Sequence, residues 1–128
     1  MSKRATIAML DGAALAAILV ASPAISDEKK AAAKDTAVKG EILDLSCYVG
    51  HGGSGPGHAE CAASCLKGGA AMGLLGADGT VYVLFADHSD SGPFEQAKGF
   101  AGKKVEVTGE VHSKGNLKGI TMHGVKAL

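Results

Sequence analysis

The stretch that decides the fold is Gly102–Leu128, GKKVEVTGEVHSKGNLKGITMHGVKAL. From Lys104 to Val111, Val105, Val107, Gly109 and Val111 fall on one side of an extended chain and Lys104, Glu106, Thr108 and Glu110 on the other, the alternation of a half-buried strand. The tetrapeptide Ser113-Lys114-Gly115-Asn116 turns the chain, and Leu117–Val125 reads as the returning strand, with Ile120, Met122 and Val125 inward.

Reading backwards, Met72–Leu75 and Val81–Phe85 are apolar runs separated by a segment containing Asp78-Gly79, a strong hairpin signal. The polar stretch 88–103 between them and the closing hairpin has room for one helical turn around Phe94–Lys98, after the break at Gly92-Pro93. Further back, Val38 opens a strand that becomes more apolar towards Cys47. Gly50–Gly57 holds five glycines and a proline in eight residues and is a loop. The helix-favouring His58–Leu66 follows, stopped by Gly68-Gly69. The resulting order is strand, loop with short helix, hairpin, helical connector and two strands. It predicts a mainly β protein, a small five-stranded OB-like Greek-key barrel with a short helix in the first loop.

The pattern GKxVxVxGxV at 102–111 and the return strand resemble the closing hairpin of small exported bacterial OB-like domains. His58-x2-Cys61-Ala62-x2-Cys65-x3-Gly69, followed by GLLGADGTVYVL, is similar to a pattern in the same kind of exported protein. That resemblance implies a barrel and export and attaches no activity.

Ser2-Lys3-Arg4, the apolar run Ala13–Ala21 and the small residues of Ala24-Ile25-Ser26 have the layout of a secretory signal peptide over residues 1–26. The apolar run is about half the ~20 residues a membrane span needs, so no stable span is expected once the signal is cleaved. Residues 27–37 read as a flexible linker and 38–128 as the barrel domain, periplasmic or secreted. Removing 1–26 takes away Lys3, Arg4 and Asp11 and leaves a net charge of −1, with no basic stripe for nucleic acid.

The chemistry-bearing constellation is Cys47-x10-His58-x2-Cys61-x3-Cys65. His58, Cys61 and Cys65 share one face if they lie on a single helix, and the glycine-rich loop can fold Cys47, expected at the end of the first strand, back against them. Three thiolates and an imidazole suit zinc or copper ion. Cys61-x3-Cys65 with a separate histidine also looks like the copper sites of cytochrome oxidase assembly proteins of the Sco type, which implies copper-ligand chemistry for those residues. The leading expectation is therefore an exported soft-metal-binding protein with a Cys3His site, acting with a periplasmic protein partner. Two alternatives stay open: a ligand-binding module in which one disulfide from Cys47 to Cys61 or Cys65 pins the loop, and a small redox or electron-transfer protein. His51, Met72 and His88 are weaker ligand candidates; His112 and His123 have the spacing to face each other across the closing hairpin but, with no cysteine nearby, read as surface residues; and Asp44 or Glu60 can orient an imidazole. No G-x-S-x-G elbow, P-loop, H-E-x-x-H or C-x-x-C-H occurs, so binding is expected before catalysis.

Overall fold

The computed structural model of the protein describes residues 34–128. The expected signal peptide and residues 27–33 of the expected linker lie outside them. Strand β1 spans Thr36–Asp44, starting two residues before the strand expected at Val38, and is followed by helix α1, Leu45–His51. A 3-10 turn at Pro56–His58 leads into helix α2, Ala59–Lys67. Then come β2 (Met72–Gly76), β3 (Val81–Ala86), helix α3 (Gly92–Ala97) with a 3-10 turn at Lys98–Phe100, β4 (Lys104–Lys114) and β5 (Leu117–Ala127).

The five strands close into a barrel in the order β1-β2-β3-β5-β4. All neighbours are antiparallel except β3 and β5, which run parallel with Leu84 opposite Ile120. A parallel pair needs a crossover connection, and the segment holding α3, followed by β4, supplies it. This is the five-stranded OB arrangement that the strand order predicts.

Alternation sets the core. Ile42, Leu74, Leu84, Val105, Val107, Ile120 and Met122 point inward from the strands, and Ala62 and Leu66 of α2 and Ala97 and Ala101 of the β3–β4 connection join the same cluster. Gly92-Pro93, which the sequence suggests as a break, instead opens α3: Pro93 sits in its first turn, where a missing N–H costs nothing. On β5 the phase of alternation changes. Gly109 pairs with Met122 and Thr108 with Gly124, leaving His123 as the extra residue of a bulge. The bulge is why Met122 and Val125, three apart, both turn towards the core.

Both hairpin histidines are exposed, as the sequence reading expects of surface residues. His112 lies opposite Gly119 and approaches Thr121 Oγ1 at 3.1 Å, whereas the bulge aims His123 at Asp35 (2.7 Å) and Asp87 (3.4 Å). The bulged residue has left the ladder, so the two rings do not meet. No helix among the described residues is long and apolar enough to cross a membrane.

Candidate metal centre

The connection between β1 and β2, residues 45–71, carries the thiols, and its two ends meet where Asp44 pairs with Met72. Cys47 is not the last residue of a strand, as the alternation of Leu43 and Leu45 suggests, but lies inside α1. Asp44 ends the strand by capping this helix: its backbone stays extended while Oδ1 accepts from the Ser46 N–H at 2.9 Å. At the other end Gly52 adopts φ 72°, and the N–H groups of Gly52 and Gly53 bond back to the carbonyls of Tyr48 (2.8 Å) and Cys47 (3.2 Å). A seven-residue helix is far too short to be stable alone, so these caps and its packing hold it in place.

α2 supplies the other two thiols. Glu60 in its first turn and Lys67 in its last match the helix dipole. Ala62 and Leu66, four residues apart, are buried in the barrel core, and Cys61 and Cys65, one residue earlier in each turn, are carried along the adjoining edge. The Sγ atoms of Cys47, Cys61 and Cys65 all lie within 4.8 Å of one another. Metal–sulfur bonds of about 2.3 Å hold thiolate sulfurs roughly 4 Å apart, so closing this triangle on one ion takes only small side-chain movements. None of the three cysteines is disulfide-bonded, so the loop is held without the bridge that the alternative reading requires.

His58 is not brought into the thiol triangle. The helical spacing that predicts its position fails because α2 begins at Ala59, and His58 stands before it, at the end of the 3-10 turn. Its ring fills the loop interior instead. A Cβ on Gly53 would lie 2.6 Å from Nε2, so this close approach requires glycine there. Nε2 itself is buried with no hydrogen-bond partner, and the ring stands edge-on to His51 with centroids 5.6 Å apart. The same narrow crevice is lined by Glu41, Asp44, Gly55 and Ala62. Glu41, buried in the sheet, anchors the loop by accepting from the Gly55 N–H and lies 3.8 Å from Lys104 Nζ.

Asp44 dominates the electrostatics of the centre. It is completely buried, and its Oδ2 has no hydrogen-bond partner of normal geometry. Burial pushes its carboxyl up, but the Cys47 thiol, the Ser46 N–H, the Cys65 thiol and the Cys47 N–H together outweigh this and hold it below the usual carboxylate value. The same contact acts oppositely on the thiols. Hydrogen bonding to Asp44, then burial, then the charges of Asp44 and Cys61 push Cys47 up to about 12, and the same causes raise Cys65. Without an ion the centre is therefore a carboxylate flanked by protonated thiols. A bound cation reverses this balance by stabilising the thiolates.

The weaker candidates fall elsewhere. Met72 is buried in the core, His88 and Glu60 are exposed, and His51 ends α1 in solvent. Asp44, which the sequence suggests only as an orienting group for an imidazole, touches the thiols directly; an aspartate beside a Ser-Cys pair at a strand end was the available signal. The chain matches no protein-family model, no curated protein and no solved structure.

Proposed function

We propose that this protein is an exported binding protein for a single soft or borderline metal ion, zinc or copper, held by the thiolates of Cys47, Cys61 and Cys65. The observation that carries the reading is the convergence of three unbonded thiols from two separate helices to within 4.8 Å. A disulfide uses two of these thiols and leaves the third without a role, whereas a thiophilic ion takes all three. Export rests on the signal-like residues 1–26, and a periplasmic partner that supplies or receives the ion goes with it. His58 is the fourth ligand that the sequence spacing offers; to serve, its ring must leave the crevice beside Gly53.

The mechanism needs no catalysis. An ion entering the triangle displaces the thiol protons, so uptake releases protons and weakens at low pH. The barrel contributes rigidity: α1 is capped from the last residue of β1 and α2 is fixed by Leu66, so both thiol-bearing helices are fastened to one rim. The test is titration of the reduced full-length chain with Zn²⁺ and with buffered Cu(I). One ion per chain is expected, abolished by Cys47→Ser, Cys61→Ser or Cys65→Ser and insensitive to His51→Ala. Retention of native metal content by all three cysteine variants refutes the reading.

A further inference from the structure

Three thiolates leave a tetrahedral ion one ligand short, and two buried polar atoms near the centre have no partner: His58 Nε2 and Asp44 Oδ2. They differ in where their side chains go. Neither belongs to the group of ligand atoms that lie within 4.8 Å of one another, and the His58 ring is packed on Gly53 in the loop interior. The Asp44 carboxylate is completely buried at the foot of α1, three residues before Cys47, and lies against the thiols of both Cys47 and Cys65. One oxygen already has a task, accepting from Ser46 N–H at 2.9 Å to cap the helix, and this fixes the carboxylate's position. The other has no hydrogen-bond partner of normal geometry, although the Cys47 and Cys65 thiols lie beside the carboxylate. A buried carboxylate oxygen without a donor is costly, and a cation beside it removes the cost.

We propose that Asp44 is the fourth protein ligand of the centre, making it a Cys3Asp site for a borderline divalent ion such as Zn²⁺ in preference to Cu(I). This rests on the three-thiolate reading above and adds to it the ligand that sets selectivity. Zn²⁺ accepts carboxylate oxygen alongside sulfur, whereas Cu(I) is best served by thiolates alone. The formal charge also fits: three thiolates and one carboxylate around a divalent ion carry −2, as in common four-cysteine zinc sites, while Cu(I) in the same shell would leave −3 in a low-dielectric pocket.

The deciding variant is Asp44→Asn in the full-length chain, because asparagine caps a helix as well as aspartate does while removing the anionic oxygen. Competition with a chromophoric chelator should show the ratio of Zn²⁺ to Cu(I) affinity at least about tenfold lower than in wild type, because freeing the thiols from Asp44 acts on both ions while only Zn²⁺ loses a ligand; loss of a metal-orienting or ligating group usually costs at least this factor. Retained Cu(I) binding also shows that the variant's thiol triangle is intact. If Asp44→Asn binds neither ion, X-ray absorption of the Zn²⁺-loaded wild type decides: three sulfurs at about 2.3 Å and one oxygen at about 2.0–2.2 Å without imidazole scattering are expected. An unchanged ratio of Zn²⁺ to Cu(I) affinity in Asp44→Asn, or an imidazole signal lost in His58→Ala, overturns the Asp44 assignment and leaves the three-thiolate reading standing. Failure of the wild type to take up either ion overturns both.

Discussion

Leu66 is the residue on which the placement of α2, and with it two of the three thiols, depends most. Its side chain is completely buried among Ile42, Leu74 and the other barrel residues, while Ser64 on the same helix is exposed. Leu66→Ala removes three carbons, which at roughly 0.8 kcal/mol each amounts to about 2.4 kcal/mol of lost transfer free energy. A residual cavity adds to this, although α2, a short helix tethered by glycines at both ends, can settle part of the way into the space; the expected total is about 3 kcal/mol. Urea unfolding of the reduced, chelated full-length chain is the direct assay. With a slope of roughly 1.5 kcal/mol per molar, the midpoint should fall by about 2 M at unchanged slope. Ser64→Ala, in solvent on the same helix, should stay within about 0.5 kcal/mol of wild type. A Leu66→Ala loss below about 1 kcal/mol refutes the docking of α2 through this side chain. The same variant should bind metal more weakly, since the ion then has to bear the cost of ordering α2.

Gly53→Ala places a methyl 2.6 Å from the His58 ring; it should destabilise the chain by about 1–3 kcal/mol in thermal melts, and His58→Ala in the same chain should recover part of that loss. In metal-free protein Cys47, with its thiol pushed up to about 12, should alkylate with iodoacetamide at pH 8 much more slowly than an ordinary free cysteine, and Asp44→Asn should accelerate it, read by mass spectrometry of the labelled peptides. His123, raised above its ordinary 6.5 chiefly by its hydrogen bond to Asp35, and also by the charge of Asp87, contributes stability that is complete below pH 6.5 and disappears as pH rises through the raised value. Melting temperatures of the wild type should therefore fall relative to His123→Gln as pH goes from about 6 to 8, by the equivalent of roughly 0.5–1 kcal/mol because the pair is partly exposed. An unchanged difference across that range refutes the linkage.

The barrel was legible because its information is local. Alternation at Lys104–Val111, the Asp78-Gly79 turn and the apolar runs on either side each identify one strand, and five such strands in this order leave few topologies. The bulge at His123 was visible only as an odd three-residue step between Met122 and Val125. The centre was less legible. Three of its thiol partners could be grouped from spacing, but Leu43 and Leu45 imitate a continuing strand and conceal α1, whose beginning is marked only by an aspartate cap. Helical spacing puts His58 on the thiol face, but the 3-10 turn at Pro56–His58 displaces the start of α2 to Ala59, one residue beyond it. The closeness of Asp44 to the thiols is not legible in the sequence, because burial and the contact with Cys65, twenty-one positions away, are tertiary facts that no local pattern encodes.

Asp44 and Met72 form the last rung of the β1–β2 ladder, and everything that carries thiol chemistry departs from one side of that rung and returns to the other. The twenty-seven residues between them are thus a cassette: in principle any antiparallel pair of strands of the same spacing offers the same two attachment points. The cassette is not inert cargo, because through Ala62 and Leu66 it completes the hydrophobic interior of its host. An ion held by Cys47 on one helix and Cys61 and Cys65 on the other would therefore act as a rivet, and part of its binding energy would appear as resistance of the barrel itself to unfolding.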